Sequence, residues 1–207
     1  MERVFTVTVV RDSASLEAVA DEWRDLALNA IEPNSAYEPD TLLPALRELG
    51  ASEGIRFVLV WVQEMARGRR QLGALFPFRG PVLYRELPVV TLRPYQQLKQ
   101  RFCTPLLREG CARECMHALL DWFRNDGEGA TLLEFRALAG RAPVYRVLAE
   151  VAQERNQLVL ATRADGRAST LLVGEGSWDE LVVSAMPLTR WAKRSVAAAL
   201  GFAGALR

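Results

Sequence analysis

An α/β (α+β) domain, with a mixed, mainly antiparallel sheet flanked by helices, is the fold this sequence predicts, and three observations predict it. Residues 55 to 78 read IRFVLVWVQEMARGRRQLGALFPF, two apolar strands around a polar turn that holds Gly68. Apolar residues recur at 3 and 4-residue steps through residues 16 to 30, the spacing of one helix face. From residue 131 onward a strand, a helix opened by proline and another strand follow one another, which requires a crossover as well as hairpins.

The elements follow in order. MERVFTVTVVRD alternates, with Val4, Thr6 and Thr8 on one side and Phe5, Val7 and Val9 on the other, and is a first strand. Asp12 and Ser13 are candidate N-caps for a helix that turns Leu16, Val19, Ala20, Trp23, Leu26, Ala27 and Ala30 inward and Glu17, Asp21, Glu22, Arg24 and Asp25 outward. Pro33, Asn34 and Ser35 break it. Asp40 then caps a second helix with Leu42, Leu43, Leu46 and Leu49 inward, and Gly50 stands where a left-handed residue ends a helix. In the hairpin, Val58, Val60, Val62, Leu72, Ala74 and Phe76 share one core face, and Pro77 closes the second strand.

Pro81, Pro88, Pro94 and Pro105 interrupt residues 80 to 109, which predicts short extended pieces and an irregular crossing loop. A third helix spans Cys111 to Arg124 with Ala112, Met116, Leu119, Leu120 and Phe123 inward; a strand runs from Thr131 to Ala137. The fourth helix has Pro143 in its first turn and buries Val144, Val147, Leu148 and Val151. Residues 158 to 174 form a second hairpin around Asp165-Gly166, a pair suited to the type I′ turn. Ser177 is expected to cap a helical turn over Trp178, Leu181 and Val182, followed by a basic stretch with Arg190, Lys193 and Arg194 and an apolar end. Residues 1–176 therefore form one domain, and 177–207 a connector with a C-terminal helical segment.

Charge and hydropathy narrow the function. The 26 basic and 25 acidic residues nearly cancel, which removes the basic excess a nucleic-acid binder needs. The N-terminus lacks an apolar export segment, so a cytoplasmic protein is expected. The longest apolar run near the C-terminus, Val196 to Leu206, has 11 residues, short of the roughly 20 that span a bilayer.

The three cysteines and single histidine cluster as Cys103, Cys111, Cys115 and His117, residue types that bind zinc. Cys111 and Cys115 share a helix face, but His117 lies about 200° around the helix from Cys115. The set does not converge, so no metal is expected: the thiols read as core and the histidine as solvated. A Ser-His-Asp or Cys-His triad would have to use His117, whose face is polar. Glu134, in the strand LLEFRAL, is the carboxylate that could act as a base at a strand end; against this stands the simpler reading of an outward-facing strand residue. No G-x-x-x-x-G-K-[ST] or G-x-G-x-x-G string is present. Arg70 to Leu75, R-x-x-G-x-L, mimics an acyl-CoA loop but lies inside a strand, where backbone N–H groups are not free. Arg67, Arg69 and Arg70 are a solvated hairpin tip.

In order, these pieces resemble the N-terminal half of the cellulose-biosynthesis-associated acetyltransferase family (CelD/BcsL type), tandem-domain members of the GNAT superfamily with FemAB-like architecture. The matching stretches are LEAVADEWRDL from Leu16, NSAYEPDTLLPAL from Asn34, FVLVWVQEMARGRRQLGALFP from Phe57 and TLLEFRALAGRAPVYRVLAEVAQER from Thr131. The resemblance covers about the first 185 residues. It implies a GNAT-like sheet and N-acyl transfer from acetyl-CoA or another acyl-CoA to an amine as the parent chemistry. The family is roughly twice as long, and its second copy is expected to hold the acyl-CoA loop, so the resemblance implies the acceptor-side or degenerate half, with no residues of this chain assigned to hold the donor. Glu134 and Tyr145, beside the strand-to-helix crossover, are the candidate catalytic residues. The alternative is a non-catalytic interaction module that pairs with a second copy, or with a second GNAT-like domain, through the Trp191 to Leu206 helix.

Overall fold

The structure, a computed structural model, describes residues 2–48, 54–66, 68–84, 87–96, 102–139, 142–155, 157–163, 168–170 and 177–187. It opens with β1 (Arg3–Val10), the helices α1 (Ser13–Glu17), α2 (Ala20–Leu28) and α3 (Pro39–Glu48), and the strands β2 (Ile55–Glu64), β3 (Arg69–Tyr84), β4 (Leu87–Pro94) and β5 (Leu106–Leu107). Then come α4 (Ala112–Asn125), β6 (Leu132–Ala139), α5 (Pro143–Glu154), β7 (Gln157–Arg163), β8 (Ala168–Thr170) and β9 (Ser177–Pro187). The strands form one sheet in the order β1-β2-β3-β4-β6-β9-β7-β8, with β5 also paired to β3. Among the described residues every pairing is antiparallel except β4 with β6. This is the mixed, mainly antiparallel sheet flanked by helices that the sequence predicts.

Each face of the sheet carries a core. On one, Val58, Val60, Val62, Phe76, Phe78 and Leu133 pack under Met116, Leu119 and Phe123 of α4 and Leu148 of α5. On the other, Phe57, Leu59, Trp61 and Leu75 meet Leu16, Trp23 and Leu42 of α1 to α3. Trp23 satisfies its buried indole by donating to the Tyr37 carbonyl at 2.9 Å, as a buried Trp N–H must.

Leu72 departs from the predicted alternation and joins the second core. The reason is a bulge: Val60 pairs with Ala74 but Trp61 with Leu72, so Gly73 is skipped and every residue before it changes face. A Cβ on Gly73 would lie 2.5 Å from Val62 Cγ2 and 2.7 Å from Cys115 Sγ; only glycine lets α4 come this close. Arg108, itself buried, clamps the bulge: its backbone N–H donates to Gly73 O at 2.8 Å and its Nε to Leu72 O at 2.8 Å, while Nη2 meets Asp25 of α2 at 2.5 Å.

Three further expectations change. The first helix divides into α1 and α2, because Val19 leaves helical dihedrals (φ −115°, ψ 18°). The second hairpin strand runs through Pro77 to Tyr84, since Pro77, which cannot donate, still accepts from Tyr95 N at 2.8 Å. The helical turn expected from Ser177 is instead strand β9, which lies between β6 and β7 and pairs Val183 with Leu133 and Leu181 with Ala161. A slot with ladder partners on both sides outweighs one weak cap, and the Leu-Val-Val run suits a strand. Gly50, the Asp165-Gly166 turn, Arg67 and the Trp191 to Leu206 segment lie outside the described residues. Among the described residues, no helix is long and apolar enough to cross a membrane.

Candidate active site

Among the described residues the one parallel pairing in the sheet is also a short junction. β4 and β6 register only at Thr91 with Leu132 and Leu92 with Leu133, backed by Thr131 N donating to Val90 O at 2.9 Å. Beyond this, β4 stays with β3 and β6 follows β9 as far as Ala139 opposite Ser177. The two strands part toward their C-terminal ends. Past residues 95 to 105, β5 resumes the line of β4 along β3, pairing Leu106 with Leu75 and Leu107 with Ala74. A wedge is left between the β4–β5 edge and β6, with α4 starting from one rim and α5 from the other.

Glu134 is the first residue of β6 past the last pair. It is fully buried, with Oε2 3.1 Å from Arg93 Nε and Oε1 2.8 Å from Arg136 Nε. The outward-facing reading is thereby corrected. Alternation does turn Glu134 away from Leu133 and Phe135, but that side is covered, and a carboxylate withdrawn from water needs the charge and donors that guanidinium groups supply. Tyr145 is buried in the opposite core, with Leu133, Phe135 and Leu148. The two candidate residues therefore face opposite sides of the sheet.

The wide end of the wedge is spanned by Glu32, from the segment between α2 and α3. Its Oε1 accepts from Thr104 Oγ1 at 3.4 Å, just before β5, and its Oε2 from the Val144 N–H at 3.4 Å, in the first turn of α5. Asn34 Nδ2 adds a bond to Thr104 O at 2.7 Å. Burial raises the Glu32 pKa above the ordinary carboxylate value, against the pull of the Val144 and Thr104 bonds. Next to Thr104, the Cys103 thiol is pushed up to about 11 by burial, with a Tyr37 hydrogen bond working the other way.

At the β5 rim, the Arg108-Glu109-Gly110-Cys111 turn feeds α4. Gly110 is exposed, has φ 77° and open space where a Cβ would stand. The Cys111 side chain makes no capping bond to α4, and the first-turn N–H groups, which no helix can satisfy internally, carry the positive end of the dipole. The sequence signal for this turn is Gly110 immediately ahead of an amphipathic helix. The R-x-x-G-x-L string lies within β3, as expected, with the Arg70 guanidinium 4.0 Å above the Trp61 ring.

The cysteines do not assemble with the histidine. Cys111 and Cys115 Sγ are 3.8 Å apart, whereas Cys103 sits in the core on the opposite face. The bond from Cys115 lowers the Cys111 pKa, opposed by burial and helped by Arg108 and Arg3, while Cys115 is raised by the same contact and by burial. His117 is held on the α4–α5 surface by Glu154 at 3.4 Å and Arg155 at 3.3 Å. Among the described residues, no three metal-ligating side chains converge.

No protein-family model matches the chain, and no curated protein sequence does. Solved structures with a similar chain course include a chimera of spermidine N-acetyltransferase SpeG from Vibrio cholerae and hSSAT, 11% identical, with 87% of this chain and 95% of that one covered at a TM-score of 0.45. Diaminobutyrate acetyltransferase EctA from Paenibacillus lautus, solved with its substrate and coenzyme A, is 11% identical over 91% of this chain and 98% of its own, at 0.43. A domain from Methanocaldococcus jannaschii is 9% identical over 88% and 99%, at 0.47. Likeness at this level is one of general course and carries nothing about activity.

Proposed function

We propose that this chain is a GNAT-type acyltransferase that moves an acyl group from an acyl-CoA to an amine. One observation carries the proposal: a parallel strand pair that parts after two residue pairs, with an open glycine turn and an uncapped 14-residue helix beginning at its rim. A pyrophosphate suits the α4 N-terminus because unsatisfied N–H groups and the helix dipole both favour an anion there. The parted edges of β4–β5 and β6 supply backbone donors for an extended, amide-bearing arm and for the acyl oxygen. Such transfer proceeds by direct attack of the amine on the thioester, and the protein contributes orientation and a proton acceptor. Glu134, locked between Arg93 and Arg136, fixes the floor where the strands separate and holds both guanidinium groups in place.

The Gly110 turn supports a chain with its own donor cradle over a degenerate acceptor-side half; the CelD/BcsL-type kinship belongs to this proposal without altering it. Three free thiols fit the reducing compartment expected from the sequence. Calorimetry with acetyl-CoA tests the reading. Gly110→Asn keeps a residue that tolerates positive φ and leaves the turn neutral, whereas Gly110→Asp keeps the geometry and adds a negative charge. Micromolar binding by the wild type, a Kd within about threefold for G110N and at least about tenfold weaker for G110D are expected. No binding up to millimolar acetyl-CoA ends the enzyme reading and leaves the interaction module.

A further inference from the structure

We infer that Glu32 is the acceptor-side carboxylate: it receives the ammonium group of the substrate amine at the mouth of the wedge and takes its proton. The inference rests on the acyltransferase reading and adds the chemical class of the acceptor's reacting end and the residue that meets it. Glu32 comes from the α2–α3 segment and places its carboxylate between the rim that leads into β5 and the first turn of α5. Both of its hydrogen bonds are 3.4 Å long, at the weak end of the range. A carboxylate accepts about four bonds, so an ammonium group could approach without first displacing a strong partner. The group is half-buried and its charged form is disfavoured by burial, which makes it a better proton acceptor than a solvated carboxylate. Glu134 cannot take this part as readily, since both of its oxygens are engaged by guanidinium groups.

The chemistry balances. One proton passes from the ammonium nitrogen to Glu32; the nitrogen forms a C–N bond to the acyl carbon as the C–S bond breaks; the second proton goes to the departing sulfur. An ammonium, a carboxylate and a thioester become an amide, a carboxylic acid and a thiol. The role is catalytic because the carboxylate touches the reacting nitrogen.

Amide-detected NMR on the whole chain, titrated with n-butylammonium and with 1,4-diaminobutane, tests it without needing the natural acceptor. As the carboxylate turns toward the added cation, the Val144 and Thr104 amide resonances of the wild type should shift and saturate. In Glu32→Gln, which preserves shape, saturation should weaken at least tenfold. Thr104→Val removes a partner of Glu32 but keeps the charge, and should bind the amines within about threefold of wild type; a merely structural Glu32 would be disturbed equally by both changes. The absence of any saturable shift in the wild type, or equal affinity in wild type and E32Q, overturns the inference. Acetyl-CoA calorimetry on the same samples separates the two claims: unchanged Kd in E32Q is expected, and amine binding that fails while acetyl-CoA still binds condemns Glu32 alone.

Discussion

Gly73 is a residue whose whole role is the absence of a side chain. A methyl group there would stand 2.5 Å from Val62 Cγ2 and 2.7 Å from Cys115 Sγ, so Gly73→Ala should destabilise the chain by about 1–3 kcal/mol, measured by urea unfolding, and Cys115→Ala in the same chain should recover part of the loss. Glu128 offers a pH-dependent test. It has φ 50° and is pinned by Arg11 and by Arg56 Nε at 2.5 Å; burial would raise its pKa, but the Arg56 and Arg11 bonds outweigh it and hold the carboxyl below its usual 4.5. A depressed folded value means stabilisation that is present above about pH 4.5 and lost as pH falls through the folded pKa. Glu128→Gln should therefore cost about 1–3 kcal/mol near pH 7, and the gap from wild type should close in acid. The Cys103 thiol, pushed up to about 11 and buried, should resist alkylation at pH 8 in the native chain and react after denaturation. At this scale the sequence is unevenly legible. The i, i+4 spacing of Cys111 and Cys115 showed their contact, but the burial of Glu134 depends on arginines brought by two strands, of which Arg93 lies 41 positions away in the sequence.

Among the elements, those with a strong local period were legible: the hairpin of β2 and β3, α3, α4 and α5 stand close to where apolar spacing places them. Those fixed by neighbours were not. β9 is extended because two strands flank it, and the two residues of β5 are extended because they pair with Leu75 and Ala74 of β3. The Arg108 clamp makes an element-scale prediction. Arg108→Met removes the donor to Leu72 O and the tie to Asp25, leaving a buried carbonyl unsatisfied, and should cost about 2–4 kcal/mol. It should also weaken acetyl-CoA binding in calorimetry, because the same clamp sets the height of the turn that feeds α4.

Across the whole molecule, the sheet separates two cores that meet it from opposite sides. Trp23→Ala, in the α1–α3 core, removes a fully buried side chain and its bond to Tyr37 O; about 3–5 kcal/mol should be lost in urea unfolding. Fold class was legible because patterning alone decides it. The wedge was not, because nothing in a strand's own residues says where its neighbour will leave it.

That departure also decides how the molecule is held together across its middle. β1 to β5 keep one ladder and β6 to β9 another, and among the described residues backbone bonding stitches them at two residue pairs and the Thr131 to Val90 bond, so their union rests chiefly on the apolar seam under α4 and α5. Such adhesion fades in the cold. Deuterium uptake at Thr131 and Leu133, compared with Val60 inside the first ladder, should accordingly gain ground as temperature drops, which would make refrigeration, rather than warmth, the gentler way to prise the crevice wider.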